Sequence, residues 1–101
     1  MTQDNLGWLQ SWFVSHCDGD WEHLYGVTIN SLDNPGWAVE ISLDGTELEN
    51  LVVERHQIAR TESDWLDYEV REKKFRGFCG PANLDDVIAE FRQLAESHAA
   101  S

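Results

Sequence analysis

Near the start of the chain Leu6, Leu9, Trp12, Phe13 and Cys17 recur at helical spacing, with Trp8 one turn ahead of Trp12. The pattern predicts an amphipathic helix over residues 5–17, capped by Asp4 or Asn5 and stopped by Cys17-Asp18-Gly19-Asp20. Its wide apolar stripe implies a helix laid across a sheet and largely covered. From Tyr25 the period changes to two. Tyr25, Val27 and Ile29 alternate with small or polar residues, as do Trp37, Val39, Ile41 and Leu43, which is the signature of half-buried strands. Ser31-Leu32-Asp33-Asn34-Pro35-Gly36 joins them as a turn in which Pro35 fixes φ and Gly36 supplies a positive one, so the two strands form a hairpin.

Asp44-Gly45 is a second turn, and Thr46 to Asn50 is either a loop or a short edge segment. Leu51 to about Ile58 reads as a third strand, and Trp65 to Val70, with Leu66, Tyr68 and Val70 on one side, as a fourth. Phe75 to Cys79 is a short fifth strand whose Gly77 marks a bulge or a close backbone approach. No connection between strands is long enough for a crossover helix, so the sheet is antiparallel. Asn83 opens a last helix running to about His98, with Asp86 three residues on and Leu84, Val87, Ile88, Phe91, Leu94 and Ala95 on one face. The expected fold is α+β: one domain over residues 1–101, with an antiparallel sheet of four to five strands packed against an N-terminal and a C-terminal helix. At 101 residues a single core suffices.

Charge sharpens the picture. Seven Lys and Arg against 19 Asp and Glu leave −12, and the first 54 residues hold ten acids and no Lys or Arg. Nucleic acid and anionic membranes are held by Lys and Arg, so neither is an expected partner, whereas a basic protein is. Cys17 and Cys79 are too few for a disulfide framework, and residues 1–9 have no charged-then-apolar leader, which points to the cytosol.

The densest chemistry is His16-Cys17-Asp18-Gly19-Asp20-Trp21-Glu22-His23. It holds every ligand type a transition metal uses, yet Cys17 has no near partner at zinc-site spacing, and the position where a calcium loop needs its bidentate Glu is Ile29. The adjacent His16 and Cys17 point about 100° apart on a helix, and the surrounding acids raise rather than lower a thiol pKa. No nucleophile elbow, phosphate loop or dinucleotide fingerprint is present. Neither metal, cofactor nor catalytic residue is therefore expected. Trp8, Trp12 and Trp37 fall on core faces. Trp21 lies in the acidic turn and Trp65 is out of phase with Leu66, Tyr68 and Val70, so exposure is expected at one or both.

The string Cys17-Asp18-Gly19-Asp20-Trp21-Glu22-His23, followed by Tyr25-Gly26 and Leu32-Asp33-Asn34-Pro35-Gly36-Trp37, resembles the signature of the immunity protein 53 family of bacterial polymorphic toxin systems. Trp8-Leu9-Gln10-x-Trp12, Asp64-Trp65 and Phe75-x-Gly77-x-Cys79-Gly80-Pro81-x-Asn83-Leu84 extend the resemblance over nearly the whole chain. It implies an α+β protein encoded beside a toxin, which it binds and neutralises in the producing cell without catalysis. The resemblance carries no catalytic residues or cofactor over to this chain.

Two acidic surfaces are candidates for such a partner. One is Asp18, Asp20, Glu22 and Asp33 around an exposed Trp21; the other runs through Glu40, Asp44, Glu47, Glu49 and Glu54. Carboxylates would steer encounter with a basic cleft, and aromatic anchors would slow dissociation. Two readings compete: a metal- or thiol-dependent enzyme using His16, Cys17, Asp18, Asp20 and His23, and a regulatory protein-binding module with no toxin partner.

Overall fold

The computed structural model describes residues 4–98. Along the chain run α1 (Asn5–His16), α2 (Trp21–Leu24), β1 (Val27–Leu32), β2 (Gly36–Ser42), β3 (Val53–Ala59), β4 (Trp65–Arg71), β5 (Lys74–Cys79) and α3 (Leu84–His98). The five strands form one antiparallel sheet in the order β1-β2-β5-β4-β3. The expected α+β architecture is therefore present, with two helical elements at the ends of the chain and a short extra one between them.

One sheet face is buried because its apolar side chains alternate with mostly polar ones, Ala38, Trp65 and Phe78 being apolar residues of the other face. Val39 and Ile41 of β2, Leu66 and Val70 of β4 and Phe75 of β5 point into a core closed by Val87, Ile88, Phe91 and Ala95 of α3. Each fully buried aliphatic or aromatic side chain stabilises the fold by roughly 1.5–3 kcal/mol. Gly77 lies where α3 comes nearest the sheet: a Cβ there would sit 2.7 Å from Val87 Cγ1, so its role is close approach. The bulge lies in β3, where register shifts between Val53 and His56.

Asn83 anchors the start of α3. Its buried amide accepts from the Trp65 N–H at 3.2 Å and donates to Asp64 at 3.0 Å and Asp86 at 2.8 Å. The helix, the β3–β4 turn and the first residue of β4 are thereby tied together.

Two local expectations are corrected. Helix α1, N-capped by the Asp4 carboxylate on the Gly7 N–H at 2.7 Å, lies against α3 rather than across the sheet. Only Leu9 and Trp12 are buried, and Val14 is 65% exposed. The rings of Trp8 and Trp12 meet Phe91 of α3 edge-on at 5.8 and 5.0 Å, and Phe13 is half-buried beside them, while Leu6 and Val14 stay exposed. Gly36 has no positive φ. It is small because any Cβ would collide with the Cys79 carbonyl of the neighbouring strand. Of the two expectations for Thr46 to Asn50 the loop is the one present, and it is a folded one: Thr46 donates its hydroxyl to Leu43 O and accepts from Leu48 N–H, so that Leu48 is 1% exposed.

Candidate functional site

The acidic turn after α1 is built by its own carboxylates. Asp18 Oδ1 accepts from the N–H groups of Asp20 and Trp21, each at 2.9 Å. Glu22 reaches back to accept from the N–H groups of Asp18 and Gly19, also at 2.9 Å. This is the reciprocal logic of a capping box, and Gly19 supplies the φ of +98° that the reversal requires. The Trp21 and Asp20 amides hold the Asp18 carboxyl below the usual carboxylate range. Glu22 is also lowered, chiefly by its own amide, with those of Asp18 and Gly19 and the charge of His23 adding to it against partial desolvation.

Trp21 is not exposed, which corrects the expectation of a surface anchor. It is 6% accessible. Its Nε1–H donates to the Asp44 carbonyl at 2.7 Å, and its ring meets Trp12 at 6.1 Å and Phe13 at 5.8 Å. With a carbonyl to satisfy the indole N–H and an aromatic cluster to receive the ring, burial carries no polar penalty. Trp21 is the pillar that fastens the acidic turn to the loop at Asp44. Trp65 is half-buried on the sheet face opposite α3.

Around this pillar lies a groove of about 380 Å³. It is lined by Asp18 and Asp20 of the acidic turn, by Leu24 and Tyr25 after it, by Asp44, Gly45 and Glu49 of the later loop, and by Lys73. Leu24 is 74% and Tyr25 39% exposed. Residues from both candidate surfaces thus meet in one place, because the Trp21–Asp44 bond joins segments 23 positions apart. Glu49 is turned inward to accept from the Gly45 N–H at 2.7 Å. Among the described residues, the side chains of Asp20, which is exposed, and Asp44, which is half-buried, make no hydrogen bond or ion pair, and Lys73 lines the same groove.

The other predicted residues lie elsewhere. Asp33 sits in the β1–β2 turn, at the far end of the hairpin from the groove. Glu40 is on the open sheet face, paired with Arg76 at 3.3 Å and Lys74 at 3.6 Å. Glu54 is on β3, four strands away from β1. The residues of the second surface are therefore spread over separate parts of the fold. Glu47 binds His16 Nε2 at 3.0 Å. Desolvation pushes the Glu47 carboxyl up, but the bond and charge of His16, its own amide and the nearby Trp12 indole outweigh it, leaving a lowered pKa. The Trp12 Nε1–H has no partner within hydrogen-bond range, so its influence on Glu47 acts across a longer gap.

The residues of the enzymatic alternative diverge. His16 faces Glu47 and the Trp12 carbonyl. The Cys17 thiol donates to the Phe13 carbonyl at 3.3 Å, and desolvation with the charges of Glu22 and Asp18 raises its pKa, which keeps it protonated and a poor nucleophile. Cys79 is buried and pushed up to about 11, foremost by desolvation. Among the described residues no three His, Cys, Asp or Glu side chains converge as a metal site would require, and no helix is long and apolar enough to cross a membrane.

Sequence periodicity missed two features. Leu24 and Tyr25 were hidden because Tyr25 starts an alternating pattern, yet it ends the four-residue α2 and is not yet in β1. The open sheet face was hidden because its residues are far apart in sequence: Phe78, 41% exposed, is flanked by the Arg76–Glu40 pair and by a bidentate Arg55–Asp67 pair. Arg55, Arg71, Lys74 and Arg76 all belong to that face's ion pairs, so four of the seven Lys and Arg lie away from the groove.

Neither curated proteins nor solved structures give a match. The family model for immunity protein 53 matches residues 6–96, a span that takes in the acidic turn, the whole sheet and nearly all of α1 and α3. A turn locked by its own carboxylates, fastened by a buried tryptophan and followed by a five-stranded antiparallel sheet is thus the form these residues take in a chain that belongs to the immunity protein 53 family.

Proposed function

We propose that this protein binds a toxin domain and blocks it sterically and electrostatically, with the groove around Trp21 as the contact surface. The family membership supports a toxin as the partner. The observation that carries the choice of surface is the meeting of unpartnered Asp20 and Asp44 with exposed Leu24 and Tyr25 in one concave site. Unpaired carboxylates steer a basic partner and speed association, while apolar and aromatic groups that become desolvated in the complex set its lifetime. The net charge of −12 favours a partner with a basic cleft of the kind that holds phosphates.

The protein acts as a stoichiometric inhibitor in this account. Asp18, Glu22, Trp21 and Glu49 shape the groove through bonds to the backbone; Asp20, Asp44, Leu24 and Tyr25 present its chemistry. Coexpression with the toxin domain encoded beside it is the test. Survival of the cells and co-purification of a complex are expected for the wild type, and toxicity returns with Asp20→Lys/Asp44→Lys. Full protection by that double variant would remove the groove from the account.

A further inference from the structure

The two sheet edges are defended very differently. An edge strand offers unpaired N–H and C=O groups, and folded proteins blunt such edges with charge, bulges or proline. β3 is blunted: it carries Glu54, Arg55 and His56 and a register irregularity between Val53 and His56. β1 reads Val-Thr-Ile-Asn-Ser-Leu, with no charge and no proline, and pairs with β2 in unbroken register over all six residues.

The outward backbone groups of β1 can be assigned. Ser42 N–H donates to Gly26 O at 2.9 Å, and opposed residues alternate between bonded and non-bonded pairs along an antiparallel ladder. Thr28 and Asn30 therefore bond β2, and Val27, Ile29 and Ser31 turn their N–H and C=O away from the sheet. Next to this edge, on the open sheet face, lies a pocket of about 160 Å³ lined by Thr28, Asn30, Ala38, Glu40, Arg76 and Phe78. An added strand would place alternate side chains into that pocket.

Resting on the immunity role proposed above, we infer that β1 is a strand-addition site, occupied by an extended basic segment of the toxin. Main-chain bonds to Val27, Ile29 and Ser31 supply affinity and the pocket beside Phe78 supplies selectivity, as in other cases of sheet extension. Charge selects the occupant. The edge runs between the groove with Asp20 and Asp44 at one end and Asp33 in the turn at the other, so Lys or Arg flanking the incoming strand meets carboxylates at both ends. A second copy of this chain would instead bring −12 against −12.

Amide hydrogen exchange on the wild-type protein, alone and with the purified adjacent toxin domain, tests this without a folding variant. The amides of Val27, Ile29 and Ser31 exchange freely alone and slow by at least about tenfold in the complex. Ile29→Pro removes an outward N–H without breaking a β1–β2 bond, and weakens toxin binding by about tenfold or more; Gln57→Pro, the equivalent change on β3, leaves it unaltered. A complex that forms with these three amides unchanged overturns strand addition and leaves the immunity role standing. Absence of any complex removes both. Protection already present in the free protein and lost on dilution identifies a second copy as the occupant and overturns the inference.

Discussion

Trp21→Phe separates the pillar of the groove from its rim. The phenyl ring still fits against Trp12 and Phe13, but the donor to Asp44 O is lost. One net hydrogen bond is worth about 1 kcal/mol, and removing the extra ring atoms from a site that is 6% accessible costs about 1–2 kcal/mol more. The total of about 2–3 kcal/mol lowers Tm by about 10–20 °C in a domain of this size. Thermal unfolding followed by near-ultraviolet dichroism measures the loss. Calorimetry with the toxin at a temperature where the variant is folded should give an affinity within about threefold of wild type, because the indole is not presented to a partner. A Tm within about 2 °C of wild type together with a large loss of affinity would refute the assignment of Trp21 as a support and make it a contact residue.

Other perturbations read the fold. Gly36→Ala drives a Cβ into the Cys79 carbonyl and costs about 1–3 kcal/mol or more in urea unfolding. Gly77→Ala is destabilising by about 1–3 kcal/mol through Val87, and Val87→Ala in the same chain recovers part of that loss, giving a measurable coupling in a double-mutant cycle. Glu72 and Lys73 form the two-residue β4–β5 turn with φ of 53° and 63°, so Glu72→Asn/Lys73→Gly raises stability by about 1 kcal/mol in the same assay. The folded-state pKa of Glu47 is lowered, so its ionised form favours the fold: that stability is present above the ordinary carboxylate range near pH 4 and is lost as pH falls through the lowered value. Urea midpoints measured between about pH 5 and pH 3 therefore fall less steeply for Glu47→Gln than for wild type.

Much of this architecture is written in local pattern. Trp37 to Leu43 alternates because β2 is central and one face meets α3, and Val87, Ile88, Phe91 and Ala95 keep helical spacing for the same reason. Patterns failed where burial depends on distant partners. The broad stripe of α1 overstates its contact, since α3 and Trp21 cover it and the sheet does not. The polar-looking segment after Asp44 hides Leu48, whose burial follows from two bonds made by Thr46. The β4–β5 turn has no glycine or asparagine to announce it. For the site, the Asp18-Gly19-Asp20 turn was legible, but its meeting with Asp44 was not, because one indole–carbonyl bond across 23 residues creates the groove. That same bond explains why a tryptophan among carboxylates looked exposed and is buried.

Electrostatic engagement at this groove is tested most directly by isothermal titration of the toxin domain with wild type and with Asp20→Lys/Asp44→Lys at low and high salt. A one-to-one complex that weakens with salt, and is weakened at least about tenfold by the double reversal, is the predicted result. Equal affinity for both proteins at either ionic strength would contradict the account.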